Sequence, residues 1–333
     1  MWKRIVLYTL LGVVLLAAAG FSYLYFRKPA MAAPLDIQVE LTPERIARGK
    51  YLFEVVANCD VCHSEHDFTR FGAPIVVSGR GKGGPFPEDD LPGKVYAPNI
   101  TPDPETGIGN WTDGEKIRAI REGVSRDGRA LFPLMPYPAF RHMSDEDVYA
   151  IVAYLNTLPP VRNPVPTTEL DFPVWMLIKG EPRPVGRAVP PPDRSKKQLY
   201  GEYLVTLAEC EVCHTPGEGP SMDLSKRFAG GRRFGFQGME VYSANISPDP
   251  ETGIGKWSKQ RFMDRIKWYR TYVETGSPDA GPEKFTVMPW LHFSQMEDED
   301  LEAIYTYLQS RTPVHNRVEP HPSQKDDPGN VSE

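Results

Sequence analysis

One five-residue pattern occurs twice in this chain and constrains its fold more than any other feature. It reads Cys-Asp-Val-Cys-His at residues 59–63 and Cys-Glu-Val-Cys-His at residues 210–214. In an exported protein, two thiols with this spacing can add to the two vinyl groups of one porphyrin, while the adjacent imidazole reaches its iron. The pattern therefore predicts two covalently bound haem c groups, attached through Cys59, Cys62, Cys210 and Cys213.

Two other interpretations of the four cysteines are weaker. Disulfides are common in exported chains, but a bridge across only two residues closes a small strained ring and gives no reason for a histidine to follow each pair. A structural zinc site takes four ligands from two neighbouring knuckles, whereas the two pairs lie far apart in the sequence. Haem attachment accounts for both cysteines and histidines.

Length and composition favour two small domains in which a cofactor supplies part of the core. The chain has 333 residues, enough for about two domains of roughly 150 residues each. Its 34 prolines are near twice the usual share of about 5%, which indicates loop-rich units. The net charge of −6 and the lack of a basic stripe argue against nucleic acid as a partner.

The N-terminus, residues 1–30, predicts a membrane anchor. Residues 5–26 carry no charge and are flanked by Lys3 and Arg4 on one side and by Arg27 and Lys28 on the other. This length suffices for a transmembrane helix, which needs about 20 residues. A cleaved signal peptide is the alternative, since Ala30 and Ala32 place small residues as in an A-x-A cleavage site.

Residues 40–165 are predicted to form the first domain. A helix beginning at Thr42 delivers Cys59, and a stretch rich in glycine and proline after the motif is expected to wrap the haem edge. Residues 99–109 read as a tight turn rather than a calcium loop, because calcium needs more oxygen ligands than two carboxylates offer. Ser144 is expected to cap the last helix of the domain.

Residues 166–194 form a proline-rich linker, predicted to be a semi-rigid spacer without its own core. Within it, the apolar residues 172–178 are too few to span a membrane. We expect this segment to cover a seam between the two domains. Contact with a partner or a membrane surface is the alternative.

The second domain, residues 195–312, repeats the first in order. Residues 245–255 match residues 99–109 at every position except Ser247, which replaces Thr101. Ser195 and Gln198 predict a capping box at the start of the helix that delivers Cys210. Residues 313–333, rich in proline and charge, are expected to form a flexible tail.

The chain resembles the cytochrome c subunits of membrane-bound bacterial dehydrogenases, which serve the oxidation of alcohols, aldehydes, gluconate and related compounds. The shared features are the CxxCH motifs, the Asn-Ile-Thr-Pro-Asp run with its Gly-x-Gly-x-Trp continuation, the Met-Pro-Tyr step and the Ser-Asp-Glu-Asp start of the last helix. The likeness covers residues 40–312. Many members of that family carry three haem motifs, whereas this chain has two.

This resemblance implies a mainly α protein in which two tandem class I cytochrome c-like domains follow the N-terminal transmembrane helix. In each domain the first and last helices would cross, near Gly49 in one and Gly201 in the other. The axial ligands of the haem irons would be His63 with Met135 and His214 with Met288.

The residues themselves favour the same methionines. Of the ten methionines, two pairs recur at matching positions: Met135 with Met288, and Met143 with Met296. The second pair directly precedes the last helix of its domain, where an apolar residue can pack against the first turns. The first pair lies in irregular apolar loops that can aim a side chain at iron.

Other residues are predicted to have supporting roles around the haem groups or none. Trp111 and Trp257 are candidates to donate to haem propionates, with plain packing as the alternative. Asn99 and Asn245 are candidate haem-pocket contacts. Five histidines without counterparts in the other half are expected to be mostly surface or incidental residues: His66, His142, His292, His315 and His321.

The function predicted from these features is electron transfer. An iron held between histidine and methionine has no vacant position for a substrate and passes single electrons. The donor would be the catalytic subunit of a dehydrogenase, and the acceptor a terminal oxidase, a quinone-linked complex or another cytochrome. The haem domains would lie in the periplasm, anchored to the bacterial inner membrane. The alternatives are a dihaem cytochrome c peroxidase, which needs one open iron, and a haem-based sensor.

Overall fold

A computed structural model of the protein describes residues 1–86, 91–218, 221–236, 239–280 and 286–321. Its described part is mostly helical and has short β-strands. The helices are α1 (Trp2–Phe26), α2 (Pro43–Tyr51), α3 (Asp60–His63), α4 (Asp113–Glu122), α5 (Tyr137–Phe140), α6 (Asp145–Leu155), α7 (Val174–Leu177), α8 (Lys197–Leu207), α9 (Cys210–His214), α10 (Lys259–Lys267), α11 (Arg270–Thr275), α12 (Trp290–Phe293) and α13 (Asp298–Gln309).

The β-strands pair two by two, each pair antiparallel. One pair lies within the first domain, one joins that domain to the linker, and one lies within the second domain. The strands are β1 (Gly84–Pro85) with β3 (Tyr96–Ala97), β2 (Gly93–Lys94) with β4 (Glu169–Leu170), and β5 (Arg233–Phe236) with β6 (Met239–Tyr242).

Each domain is built on a close crossing of its first and last helices. In the first domain α2 crosses α6, and a Cβ atom added to Gly49 would lie 1.8 Å from the carbonyl oxygen of Ala150. In the second domain α8 crosses α13, and a Cβ atom on Gly201 would lie 2.0 Å from the carbonyl oxygen of Ala303. Only glycine permits two backbones to approach this closely, and the predicted crossings are confirmed.

The two copies of the first helix differ by one residue. The offset between domains is 152 at Gly49 and Gly201 but 151 at Cys59 and Cys210, so the first domain has one extra residue before its motif. The structure accommodates this residue in a π-helical turn, Leu52–Val56, that continues α2. In the second domain α8 stays α-helical through the same region. A π turn absorbs an insertion without ending the helix.

Reciprocal hydrogen bonds join the two domains. The hydroxyl of Tyr51 donates to Asp300 at 2.8 Å, and the hydroxyl of Tyr203 donates to Asp147 at 2.6 Å. Tyr203 is the counterpart of Tyr51, and Asp300 is the counterpart of Asp147. Each domain therefore offers the same tyrosine and the same carboxylate to the other, in the manner of a symmetric dimer interface.

One expectation about the second domain is wrong. No capping box forms at Ser195, because α8 begins at Lys197 and the hydroxyl of Ser195 donates instead to Asp193 at 2.6 Å. The first part of the tail is hydrogen-bonded to the second domain. The carbonyl oxygen of Val314 accepts from Asn245 at 2.8 Å, and that of Pro320 accepts from the backbone N–H of Tyr242 at 2.8 Å. The rest of the tail, residues 322–333, lies outside the described residues.

The apolar linker segment does not cover the seam between the domains. Residues 172–178 instead pack against the C-terminal part of α1. Helix α1 is long and apolar enough to cross a membrane, and none of the residues in its most apolar stretch is buried within the protein. These features are compatible with a membrane anchor.

We expect Gly201→Ala to destabilise the second domain strongly. The added methyl group meets the α13 backbone, which cannot move aside as a flexible side chain can, so the loss of unfolding free energy should be at least about 2 kcal/mol. Guanidinium unfolding of the holoprotein, followed by the haem absorption, measures this loss. The control is Gly186→Ala, because nothing lies within 4 Å of a Cβ atom there. Equal stability of the two variants would contradict the proposed crossing constraint.

We expect Tyr51→Phe to weaken the contact between domains more than Tyr203→Phe does. Both changes leave a buried carboxylate without its tyrosine partner, at a cost of about 1–3 kcal/mol. Asp147, however, keeps an ion pair with Arg48 at 2.8 Å, while Tyr200 occupies the position of Arg48 in the second domain. Denaturant unfolding of both variants tests the order, and a larger loss for Tyr203→Phe would contradict it.

Candidate haem-binding sites

Each CxxCH motif folds as a short helix directly after the first helix of its domain. The first motif ends in α3 and the second forms α9. The residue before each motif adopts a left-handed conformation, with φ of 54° at Asn58 and 55° at Glu209. The structure describes all four cysteines and places none of them in a disulfide. Burial raises the pKa of Cys59 and raises that of Cys210 to about 12, so both are held as thiols.

Both motif histidines are held in the tautomer that an iron ligand needs. Nδ1 of His63 donates to the carbonyl oxygen of Pro98 at 2.9 Å, and Nδ1 of His214 donates to that of Ala244 at 2.7 Å. Because a carbonyl oxygen only accepts, the proton lies on Nδ1 and the lone pair on Nε2 is available for a metal. Burial lowers the pKa of both histidines, which keeps them neutral.

The predicted methionine ligands lie in equivalent loops. Met135 and Met288 are each half-buried and pack against the hydrophobic core, as do Cys59 and Cys210. Each methionine precedes a proline and a four-residue helix, α5 in the first domain and α12 in the second. This placement fits the predicted role.

The other recurring methionines are core residues. Met143 is fully buried and Met296 is 2% exposed. Met143 belongs to the same core cluster as Val148, four residues after the Ser144 cap, so it is placed to close the start of α6 as a hydrophobic staple. These side chains are fully engaged in packing.

Asn99 and Asn245 organise loops. The Asn99 amide nitrogen donates to the carbonyl oxygen of Val161 at 2.8 Å, and its oxygen accepts from the backbone N–H of Thr101 at 3.0 Å. Asn245 makes the corresponding bonds to Val314 and Ser247 at 2.8 and 2.9 Å. The nitrogen of each amide therefore joins the eleven-residue run to the segment after the last helix of its domain, and the oxygen closes a turn within the run itself.

The carboxylates in the eleven-residue runs also act within their turns. Asp103 accepts from the backbone N–H and the hydroxyl of Thr106 at 2.6 and 2.8 Å, and Asp249 accepts from those of Thr252 at 2.7 and 2.8 Å. These bonds lower the pKa of both carboxyl groups. The structure thus supports a tight turn at each run. Trp111 and Trp257, which follow the runs, pack half-buried against the core.

A buried ion cluster that the sequence analysis did not anticipate lies beside the first motif. Arg80 contacts Glu54 at 2.6 Å and Asp60 at 3.1 Å, and the side chain of Asp60 is 0% exposed. Ser64 also donates to Asp60, at 2.5 Å. The counterpart in the second domain, Arg227 with Glu211, is more accessible to solvent, with the two side chains 47% and 26% exposed. The sequence contains a signal for this cluster: each motif includes an acidic residue, and an arginine follows each motif.

Two histidines without counterparts in the other domain contribute to this region. Nδ1 of His292, from the second domain, donates to the carbonyl oxygen of Glu54 in the first at 2.8 Å. The ring nitrogens of His66 face the carbonyl oxygens of Ala73 and Asp60 at 2.6 and 3.1 Å. These two side chains are therefore exceptions to the expectation that the five unmatched histidines are mostly surface or incidental residues.

Comparison with known proteins agrees with this geometry. The sequence model of the cytochrome c family matches residues 46–159. The chain is 31% identical over 311 residues to a diheme cytochrome c-type protein of Cereibacter sphaeroides, with 89% of this chain and 95% of that protein covered.

Two dehydrogenase subunits also match. One is the fructose dehydrogenase cytochrome subunit of Gluconobacter japonicus, 32% identical over 278 residues, which cover 80% of this chain. The other is the cytochrome c subunit of the quinone-type alcohol dehydrogenase of Komagataeibacter europaeus, 29% identical over 315 residues, which cover 90%. The chain spans only 52% and 62% of the length of these two relatives.

The duplicated motif, the oriented histidines and the paired helix crossings define a c-type cytochrome. The chain belongs to the cytochrome c family, with dihaem and dehydrogenase-associated cytochromes among its relatives. Members of this class bind haem c covalently and transfer electrons rather than catalyse a reaction on a substrate. The thiols, the neutral imidazoles and the thioethers of this chain are the donors that haem c requires.

We expect Arg80→Met to destabilise the first domain far more than Arg227→Met destabilises the second. Removing Arg80 leaves the buried Asp60 without its cation, at a cost of about 3 kcal/mol or more. The exposed pair of Arg227 should contribute less than about 1 kcal/mol. Guanidinium unfolding of each holoprotein variant measures both losses, and similar losses would show that burial of the cluster does not matter.

Proposed function

We propose that the chain binds two haem c groups, one per domain, and carries single electrons from the catalytic subunit of a dehydrogenase to the respiratory chain. The acceptor would be a terminal oxidase, a quinone-linked complex or another cytochrome. The observation that carries this proposal is the exact repetition of the donor arrangement. Both domains hold a CxxCH turn, a histidine whose Nδ1 is fixed by a carbonyl oxygen, and a Met-Pro loop.

The residues of each domain have distinct roles in this proposal. Cys59 and Cys62 in the first domain, and Cys210 and Cys213 in the second, attach the porphyrin. His63 and His214 would supply Nε2 as iron ligands, and Met135 and Met288 would supply the thioether ligands. When bound, haem c supplies a one-electron couple between ferric and ferrous iron. The surrounding apolar core excludes water and favours the less charged reduced state.

The repeated methionine favours an electron carrier over a peroxidase. A dihaem peroxidase needs one iron whose distal side is open or can open, whereas both domains carry a half-buried methionine in the same loop. The relatives reported above are named cytochromes, and none is named a peroxidase.

The proposed location is the periplasmic side of a bacterial inner membrane. Helix α1 is apolar enough to cross a bilayer, and none of the residues in its most apolar stretch is buried. The names of the two relatives support a dehydrogenase as the electron donor. Because haem c is attached outside the cytoplasm, both domains would lie on the periplasmic side.

We expect Met135→Ala to remove about half of the weak long-wavelength absorption that methionine-ligated ferric haem gives, because one of the two irons with this ligand set loses its thioether. Met288→Ala should remove the other half. Each change should also lower the reduction potential of its own haem, which potentiometric titration measures. The matched control is Met143→Leu, at a methionine buried in the core, which should leave band and potentials unchanged. An unchanged band in either alanine variant would contradict the assigned ligand.

A further inference from the structure

Residues 172–178 form an apolar surface that continues the surface of α1. The ring of Phe172 lies 6.5 Å from that of Phe21, and the ring of Trp175 lies 5.4 Å from that of Tyr25. Outward-facing apolar side chains remain on this segment, with Phe172 67% exposed and Leu177 51% exposed. We call residues 172–178 the linker pad.

The linker pad belongs to the first domain. Met176 is 2% exposed, so the side of α7 that carries this residue is buried within the protein. The strand β4, directly before the pad, pairs with β2 of the first domain, and the backbone N–H of Asp171 donates to the carbonyl oxygen of Pro92 at 3.0 Å. Movement of the pad therefore requires movement of the domain.

The chemistry of the linker pad matches the boundary between lipid tails and headgroups. Trp175 has the amphipathic ring that is enriched at this boundary. The ammonium group of Lys179 lies 4.7 Å from the centre of that ring and donates to the carbonyl oxygen of Tyr25 at 2.8 Å. Arg27 and Lys28 follow α1 directly. Aromatic rings below a layer of cations are typical of the residues that meet a membrane surface.

The position of the linker pad along α1 also fits the depth to which membrane-surface segments are buried. Phe21 lies five residues before Phe26, the last residue of α1, and five residues of helix span about 7–8 Å. Amphipathic segments at a membrane surface bury their apolar face by about 5–10 Å. A bilayer that covers α1 up to Phe26 therefore also reaches Phe172.

We propose that the linker pad is a second membrane-contact site, which inserts Phe172, Trp175 and Leu177 into the outer leaflet beside α1. The inference rests on the proposed membrane-spanning role of α1. Lipid is the favoured occupant because the pad is continuous with a surface that lipid already covers. The first domain is then held against the bilayer in one orientation, with its haem at a fixed height above the membrane, rather than hanging from a single helix.

The test uses full-length holoprotein reconstituted at low density into phosphatidylcholine vesicles and carrying Leu177→Cys. In the holoprotein the four native cysteines are bonded to haem, so a water-soluble polyethylene glycol maleimide reports on the new thiol. Two controls are Val77→Cys, at an exposed apolar residue of the same domain that is 72% exposed, and Leu15→Cys, within α1. An unchanged Soret band and haem content show that each variant is folded.

We expect the thiols at positions 177 and 15 each to react at least about tenfold more slowly than the thiol at position 77, because lipid excludes the reagent from both. If the thiol at position 15 is protected but the thiol at position 177 reacts less than about tenfold more slowly than that at position 77, the proposal for the linker pad is wrong. The proposed role of α1 as an anchor then still stands. If the thiol at position 15 reacts as fast as the thiol at position 77, both the proposed membrane anchor and the proposed role of the linker pad are wrong.

A second measurement identifies what covers the pad. Vesicles that contain a phospholipid with a diazirine in its acyl chain are irradiated, and cross-linked peptides are located by mass spectrometry. Lipid attached to the peptide that contains residues 172–178 supports the proposal. Protection at position 177 without a lipid cross-link there, while α1 is cross-linked, would mean that protein covers this surface, and would overturn the proposal.

Discussion

The architecture depends on two places where one helix backbone touches another. At Gly49 and Gly201 the missing side chain lets the first helix of each domain lie directly on a carbonyl group of the last. This contact fixes the direction in which the first helix points, and the haem motif follows at its C-terminal end. The close crossing thus positions the cysteines and the histidine of each site relative to the core.

The local features of the fold were predictable because they recur within short stretches of sequence. The caps at Thr42 and Ser144, the motif helices and the tight turn at Asp103 each depend on neighbours a few residues away. The crossing glycines were predictable only through resemblance to a family, since the helices that meet there lie about a hundred residues apart in sequence. The predicted capping box at Ser195 failed because Asp193, two residues earlier, captured the serine hydroxyl in a turn.

The long-range features were not predictable from local pattern. Asn99 is joined to Val161, and the ion cluster brings Arg80 to Glu54 and Asp60, so these partners are known only once the chain has folded. Signals did exist for some of them. The change in offset from 152 to 151 between the tyrosine and the cysteine of each domain predicts one inserted residue, which the π turn Leu52–Val56 contains.

His292 shows that a residue without a counterpart in the other domain can contribute to the interface between the domains. It has no counterpart in the first domain, yet it joins the two domains by donating to the carbonyl oxygen of Glu54. Two duplicated domains that pack face to face share one interface, and the reciprocal bonds of Tyr51 and Tyr203 keep that symmetry. Residues that differ between the copies are where the symmetry can break.

That broken symmetry reaches the haem sites. The ligand set is the same in both domains, but Asp60 in the first motif is buried with Arg80, whereas Glu211 in the second motif pairs with an arginine near the surface. Water screens the second pair much more than the first. Because the potential of a haem depends on nearby charge and burial as well as on its ligands, duplication of the ligands does not make the two sites equivalent. The same fold can therefore hold two sites in different electrostatic surroundings.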